Sequence, residues 1–251
     1  MADPIKQFVI TPLHESPLMV GGMDLSFTNS SLWMVLSIVV SIVLIGIGAR
    51  KKSLVPGRMQ ALSEIAYEFV ADMVKENIGS KGRQYFPFVF SIFMFVLMGN
   101  VLGLIPWSFT ITSHIIVTGI LAVLVFVAVT IFGLVNHGAQ FFTLFAPAGT
   151  PWPLLLLIVP LELISFMIRP VTLSVRLFAN MMAGHLMVKI FASFSVMLFA
   201  GLGATGLLIG IVPVLFNSAL LALELLVACL QAYIFAILSC IYLKDSVDLH
   251  H

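Results

Sequence analysis

Apolar residues run along this chain in five long blocks, and the blocks fall into two length classes. Residues 31–49, 86–105 and 115–135 are each close to the ~20 residues that a helix needs to cross ~30 Å of hydrocarbon. They predict three ordinary transmembrane helices. Residues 152–199 and about 207–243 are too long for that. As a straight helix the first would reach ~65 Å or more, twice the bilayer core. A reversal inside it has one candidate, Arg169-Pro170, and the piece before it, 154–168, is too short to cross. The block therefore reads as one long helix, steeply tilted or kinked, with Pro160 and Pro170 bending it. Gly201, Gly203 and Gly206 supply a loose turn, and the second long helix returns with Pro213 near its start.

Residues 58–77 follow a different rule. Met59, Leu62, Ile65, Ala66, Phe69, Met73 and Val74 recur at spacings of three and four, while Glu64, Glu68, Asp72, Lys75 and Glu76 fill the remainder. That is an amphipathic helix, suited to the membrane surface or to packing on the bundle. The predicted fold class is an all-α polytopic membrane protein, one membrane domain over 1–251. It has three ordinary transmembrane helices, one amphipathic interfacial helix and a C-terminal hairpin of two long, steeply tilted helices.

Composition supports the same class. Apolar residues make up 61% and charged residues 9% of the chain, with a mean hydropathy of +1.15, whereas soluble domains carry about a quarter of their residues charged. No Pro/Ser-rich linker divides it, and the first thirty residues lack the basic region and apolar core of an ordinary signal peptide. Arg50-Lys51-Lys52 closes the first span, which places that end in the cytoplasm and the N-terminus outside. Lys81 and Arg83 mark a second cytoplasmic border, Pro106-Trp107 ends the second span, and Lys244, Asp245 and Asp248 leave the C-terminus in the cytoplasm. The stretch 136–151, with Pro147 and Gly149, reads as a cytoplasmic loop. Cys229 and Cys240 lie eleven residues apart, ~16 Å along a helix and beyond disulfide reach, so both read as small buried side chains. No cysteine-histidine cluster suggests a metal, no glycine-rich phosphate loop suggests a nucleotide, and no nucleic-acid partner is expected.

Between Gln84 and Leu243 the formal charges are Glu162, Arg169, Arg176, Lys189 and Glu224. Arg176 demands the most explanation. An arginine in hydrocarbon costs from ~3 to ~10 kcal/mol or more depending on how it is measured, and guanidinium stays charged at any accessible pH. Apolar sequence extends past it on both sides, which argues against simple snorkelling to the surface. Glu162, Arg169 and Arg176 are seven residues apart, drifting only ~20° per step on a helix, with Thr172 and Asn180 along the same line. Asn217, Glu224 and Gln231 repeat the spacing on the second long helix. Each long helix thus presents a polar seam. Such seams serve either as interhelical hydrogen bonding or as a proton relay. Asn100, a lone amide in the second span, stands between the same alternatives. His114 and His137 sit at helix borders, where a histidine is ordinarily solvated. His185, nine residues past Arg176, points to roughly the opposite side of the helix ~13 Å away. Lys189, one turn further, reads as a snorkelling side chain.

The run Thr172-Leu173-Ser174-Val175-Arg176-Leu177-Phe178-Ala179-Asn180-Met181, followed by Ala183-Gly184-His185, resembles the signature of subunit a of the rotary F-type ATP synthase. Asn100 to Pro106, Glu224 and Gln231 fit the same family, so the resemblance covers nearly the whole chain. It implies long helices inclined around a rotor, and an acid/imidazole pair of His185 and Glu224 in an entry channel. Histidine first and glutamate second is the order of alphaproteobacterial and mitochondrial members, and a bacterial inner membrane is the expected location. The implied partners are the proteolipid c-ring, peripheral-stalk b-type subunits, the remainder of the complex and the lipid bilayer, with no cofactor. The chain is no enzyme by itself.

The mechanism implied is transport through two offset half-channels. Protons enter along His185 and Glu224, protonate a ring carboxylate, and leave by a second path lined by Glu162. Arg176 separates the paths, repelling a leaking proton and favouring the ionised ring carboxylate, with Gln231 and Asn180 positioning its guanidinium. The competing reading is a stand-alone proton-coupled secondary transporter. The three ordinary spans and amphipathic helix do not repeat in the long pair, which counts against it.

Overall fold

The computed structural model describes residues 8–13, 19–20, 23–24, 26–50, 53, 55–105, 108–138, 140–141, 151–201 and 203–247. Lys51, Lys52, Pro106, Trp107, Pro147, Gly149 and Asp248 lie outside them. Six α-helices account for nearly all of this: α1 (Asn29–Arg50), α2 (Arg58–Ile78), α3 (Phe86–Gly103), α4 (Ile115–His137), α5 (Trp152–Gly201) and α6 (Gly203–Val247). All but α2 are long and apolar enough to cross a membrane. Outside the helices, a minimal antiparallel ribbon pairs Met19 with Asp24 and Val20 with Met23.

The long apolar blocks fold as their lengths require. α5 is one continuous helix of 50 residues with Pro160 and Pro170 inside it, and α6 runs for 45 with Pro213 inside. Each proline removes one helical N–H, and near Pro170 the Thr172 hydroxyl donates to the Arg169 carbonyl at 2.9 Å. The glycines expected to form a loose turn are helical, and Leu202 between them lies outside the described residues. Gly201 still belongs to α5, while Gly203 and Gly206 are helical in α6. In a setting without water, helix satisfies a glycine's backbone groups better than an open turn does.

The chain divides into two compact units. Unit 1 takes the described residues of 1–43, 95–114 and 177–231. Here Phe191 of α5 packs on Phe216 of α6 with ring centroids 4.6 Å apart. Asn29, at the start of α1, donates through Nδ2 to the Val9 carbonyl at 3.1 Å and accepts from the Thr11 amide at 3.2 Å. The segment Ser108–Ser113 between α3 and α4 is buried throughout. Its Ser/Thr-rich composition is that of a polar turn; here it is interior, with the Ser108, Thr110 and Ser113 hydroxyls bonded to carbonyls and the Thr112 hydroxyl without a hydrogen-bond partner among the described residues. Ser108 Oγ donates to the Gly103 carbonyl at 2.8 Å and Ser113 Oγ to the Thr110 carbonyl at 2.6 Å.

Unit 2 takes the described residues of 44–94, 115–176 and 232–251. α2 ends at Gly79, whose φ of +80° only glycine adopts freely, with its N–H bonded to the Lys75 carbonyl. Its apolar face is split. Val70, Met73, Val74 and Ile78 are buried, whereas Met59, Leu62 and Ile65 are at least half exposed. The helix therefore buries the apolar residues of its second half and leaves Met59, Leu62 and Ile65 of its first half open. On α1, a Cβ at Gly48 would collide with Ser63 Oγ, so glycine there lets α1 and α2 approach closely enough for Ser63 Oγ to reach the Leu44 carbonyl at 2.9 Å.

Aromatic pairs tie the remaining helices of unit 2 together: Phe69 with Phe93 and Tyr233, Tyr85 with Phe132, and Phe126 with Phe166. Because lipid tails are as apolar as these side chains, the packing contributes through contact and close approach, not through removal from water. In α6 the zero exposure of Ala232, Ala236, Ser239 and Cys240 reflects that close approach. Cys229 departs from expectation: it is exposed. Toward Glu224 and Ala228 the buried face of α6 is a single narrow line, and from Gln231 onward it broadens to adjacent pairs. Cys229 sits just beside the narrow part.

Candidate functional site

The buried face of α5 in unit 1 carries Leu177, Met181 and His185 at four-residue intervals, one stripe of a helix. Glu224 lies on the corresponding face of α6. Their side chains meet, with His185 Nδ1 3.4 Å from Glu224 Oε1 and only 8% and 4% of the two side chains exposed. The seven-residue seams and the helix count do not by themselves bring these residues together; the α5–α6 packing does. Gly184 makes the approach possible, because a Cβ there would stand 2.8 Å from Glu224 Oε1. No hydrogen-bond donor among the described residues reaches either carboxyl oxygen of Glu224. A buried carboxyl without donors is costly, and such a group calls for an explanation.

The imidazole's other nitrogen is occupied. His185 Nε2 lies 2.8 Å from Thr110 Oγ1, and Thr110 comes from the buried segment between α3 and α4. Sequence reasoning passed over Thr110 because a Thr/Ser-rich stretch before a span reads as a turn. The usable signal was the adjoining glycine, Gly103, against which the Thr110 methyl rests closely enough that a Cβ would meet it at 2.8 Å.

Asn100 is fully buried on α3 and donates through Nδ2 to the Ala228 carbonyl at 3.3 Å, while its Oδ1 has no hydrogen-bond partner among the described residues. That contact links α3 to α6 one turn from Glu224. Gln231 is also buried, and Asn217 is partly buried with an unbonded Oδ1. Lys189 stands 5.5 Å over the ring of Phe8. His114 is stacked on Phe109, centroids 5.0 Å apart with the planes 13° from parallel, so it is not the solvated border histidine that its position suggests. Burial pushes its pKa below the ordinary imidazole value.

In unit 2 the α5 seam brings Glu162 and Arg169 together at 3.6 Å. The Arg169 guanidinium also lies 5.2 Å from the Tyr242 ring and 5.8 Å from that of Phe166, a cation over aromatic faces. Arg176 is exposed, at the unit 2 end of the division that runs through α5, and Asn180 on the next turn is exposed as well. Exposure of Arg176 and burial of His185 agree with their opposite directions on the helix. No group of three or more histidine, cysteine or acidic residues able to hold a metal ion occurs among the described residues.

With five helices of membrane-crossing length among the described residues, the chain has the make-up of a polytopic membrane protein. The model of the family described as ATP synthase A chain matches residues 31–244, and the chain belongs to that family. Among its relatives, ATP synthase subunit a of Mesorhizobium japonicum is 53% identical over 249 residues, covering 99% of this chain and 98% of the relative. That of Pelagibacter ubique is 51% identical with 99% of each covered, and that of Paramagnetospirillum magneticum is 50% identical across the whole of both.

Proposed function

We propose that this chain is the proton-conducting stator subunit of a rotary ATP synthase in a bacterial inner membrane, with its N-terminus outside and its C-terminus in the cytoplasm. The observation that carries this reading is the meeting of His185 and Glu224, sealed from solvent and facing each other at 3.4 Å. Both groups exchange protons, so the pair passes a proton where a fixed ion pair only holds charge. Entering protons reach the pair from outside and continue to a carboxylate on a neighbouring proteolipid ring. They leave by a second half-channel on the Glu162 side. Arg176 faces the ring, where its permanent charge keeps the passing carboxylate ionised and bars direct flow between the two paths. Asn180 and Gln231 position the guanidinium, and Asn217 and Asn100 line or brace the entry path. The partners are the c-ring, b-type peripheral-stalk subunits and the remainder of the complex. The open apolar face of α2 from Met59 to Ile65 lies at the cytoplasmic membrane surface, against lipid or a neighbouring subunit. Membership in an ATP synthase family favours this assembly over a stand-alone transporter.

The test uses the whole complex in sealed vesicles. Arg176→Ala should abolish proton-driven ATP synthesis and open a passive proton leak, because only apolar sequence then separates the paths. Arg176→Lys should also fail, since an ammonium lacks the planar fork and surrenders its proton in low dielectric. Normal synthesis with alanine at this position would overturn the mechanism.

A further inference from the structure

We infer that Thr110 is a positioning residue that fixes the tautomer of His185 and so decides which ring nitrogen trades protons with Glu224. Three atoms frame the argument. Thr110 Oγ1 lies 2.8 Å from His185 Nε2 and 3.3 Å from the Gly103 carbonyl oxygen, to which it donates. A hydroxyl has one proton to give. Given to the Gly103 carbonyl, which only accepts, it leaves the Thr110 oxygen as an acceptor toward His185. Nε2 then carries a hydrogen, and the lone pair of the neutral ring falls on Nδ1. Nδ1 is the nitrogen 3.4 Å from Glu224 Oε1.

The consequence is specific. A lone pair on Nδ1 facing an ionised carboxylate is repulsive, and no other donor among the described residues reaches the Glu224 oxygens. One proton must therefore stay between the two groups, on Glu224 beside neutral imidazole or on Nδ1 beside the carboxylate. The pair works as a one-proton relay whose far nitrogen is occupied by Thr110. Without that hydroxyl, Nε2 loses its acceptor and the ring is free to adopt the other tautomer, which presents Nδ1–H to the carboxylate and binds the proton it should pass on. The surroundings hold Thr110 in place. Its carbonyl accepts from Ser113 Oγ at 2.6 Å, its own residue is 1% exposed, and its methyl lies against Gly103.

This inference rests on the proposed entry role of His185 and Glu224, and the experiment separates the two. Thr110→Val keeps the methyl contact and loses the hydroxyl, whereas Thr110→Ser keeps the hydroxyl and loses the methyl. In whole complexes in sealed vesicles, proton-driven synthesis is measured across pH for both, alongside His185→Ala. Thr110→Ser should stay within about twofold of the original, and Thr110→Val should fall roughly tenfold, the weight of one buried hydrogen bond, with its pH profile displaced. A purely packing role gives the reverse order, valine active and serine impaired with an unmoved profile, and overturns the inference. Loss with His185→Ala but not with Thr110→Val overturns the inference alone. No loss with His185→Ala overturns the entry role beneath it.

Discussion

In unit 1, Glu224 and His185 meet with under a tenth of either side chain exposed; in unit 2, Glu162 and Arg169 meet at 3.6 Å with 34% and 24% exposed. Both pairs are drawn from the long helices, yet their chemistry differs at two points. The first joins two titratable groups, so a proton can reside on either partner. The second joins an acid to a permanent cation, so it holds charge without exchanging a proton. Burial then sets the stakes. A half-open ion pair is worth ~0–1 kcal/mol where water reaches it. Inside a sealed site, removing one partner leaves the other desolvated and unpaired, a loss of several kcal/mol. Equal spacing along a helix therefore says little about equal function.

The comparison is sharpened most by Glu224→Gln, which removes the proton acceptor and should slow proton-driven synthesis roughly a hundredfold while Arg176 still blocks the leak. The double exchange of His185→Glu with Glu224→His preserves one acid and one imidazole, and should recover more activity than either single change. An exchange no better than the worse single would mean that the two residues are packing neighbours. Gly184→Ala comes next: its methyl would crowd Glu224 Oε1, and the expected result is a loss of about tenfold in synthesis, comparable to other overpacking costs, with the complex still assembled. Glu162→Gln should cost only about threefold, in keeping with a half-open pair. Should it cost as much as Glu224→Gln, the distinction between sealed and open pairs collapses. Smallest of all, cysteines placed at the exposed positions 64 and 72 on α2 should leave synthesis unchanged and react with reagents supplied from the cytoplasmic side; reaction from the outside alone would invert the orientation.

Length alone made α5 legible, since no reversal fits between Trp152 and Gly201. The helical boundaries of α3 and α4 were legible for the same reason. Charge scarcity pointed to Arg176, Glu224 and Glu162, and helical geometry turned His185 away from Arg176. What pattern does not encode is which side chains a tertiary neighbour will cover. The run Ser108-Phe109-Thr110-Ile111-Thr112-Ser113 has the composition of a turn, and only its packing between α3 and α5 in unit 1 makes it interior. Cys229 failed for the mirror reason: an apolar helix looks buried all round, while its covered face changes width along its length. Gly184 appeared as one small residue in a motif, and its meaning emerges only when the Glu224 carboxyl occupies the space that a side chain would fill.

The buried segment 108–113 also constrains the order of events as the chain matures. The Ser108, Thr110 and Ser113 hydroxyls enter the interior with carbonyl partners in reach, because an unsatisfied polar group costs several kcal/mol away from water. They can be covered only after α3 and the unit 1 part of α5 have both crossed and begun to pack, when Gly103, Thr110 and His185 are already within reach of one another. Closure of this segment sets the Thr110 hydroxyl against His185 Nε2, while the α5–α6 packing sets Nδ1 beside the Glu224 carboxyl. A copy that has inserted every helix but not drawn in this segment is fully membrane-embedded, yet its His185 lacks the Thr110 partner at Nε2.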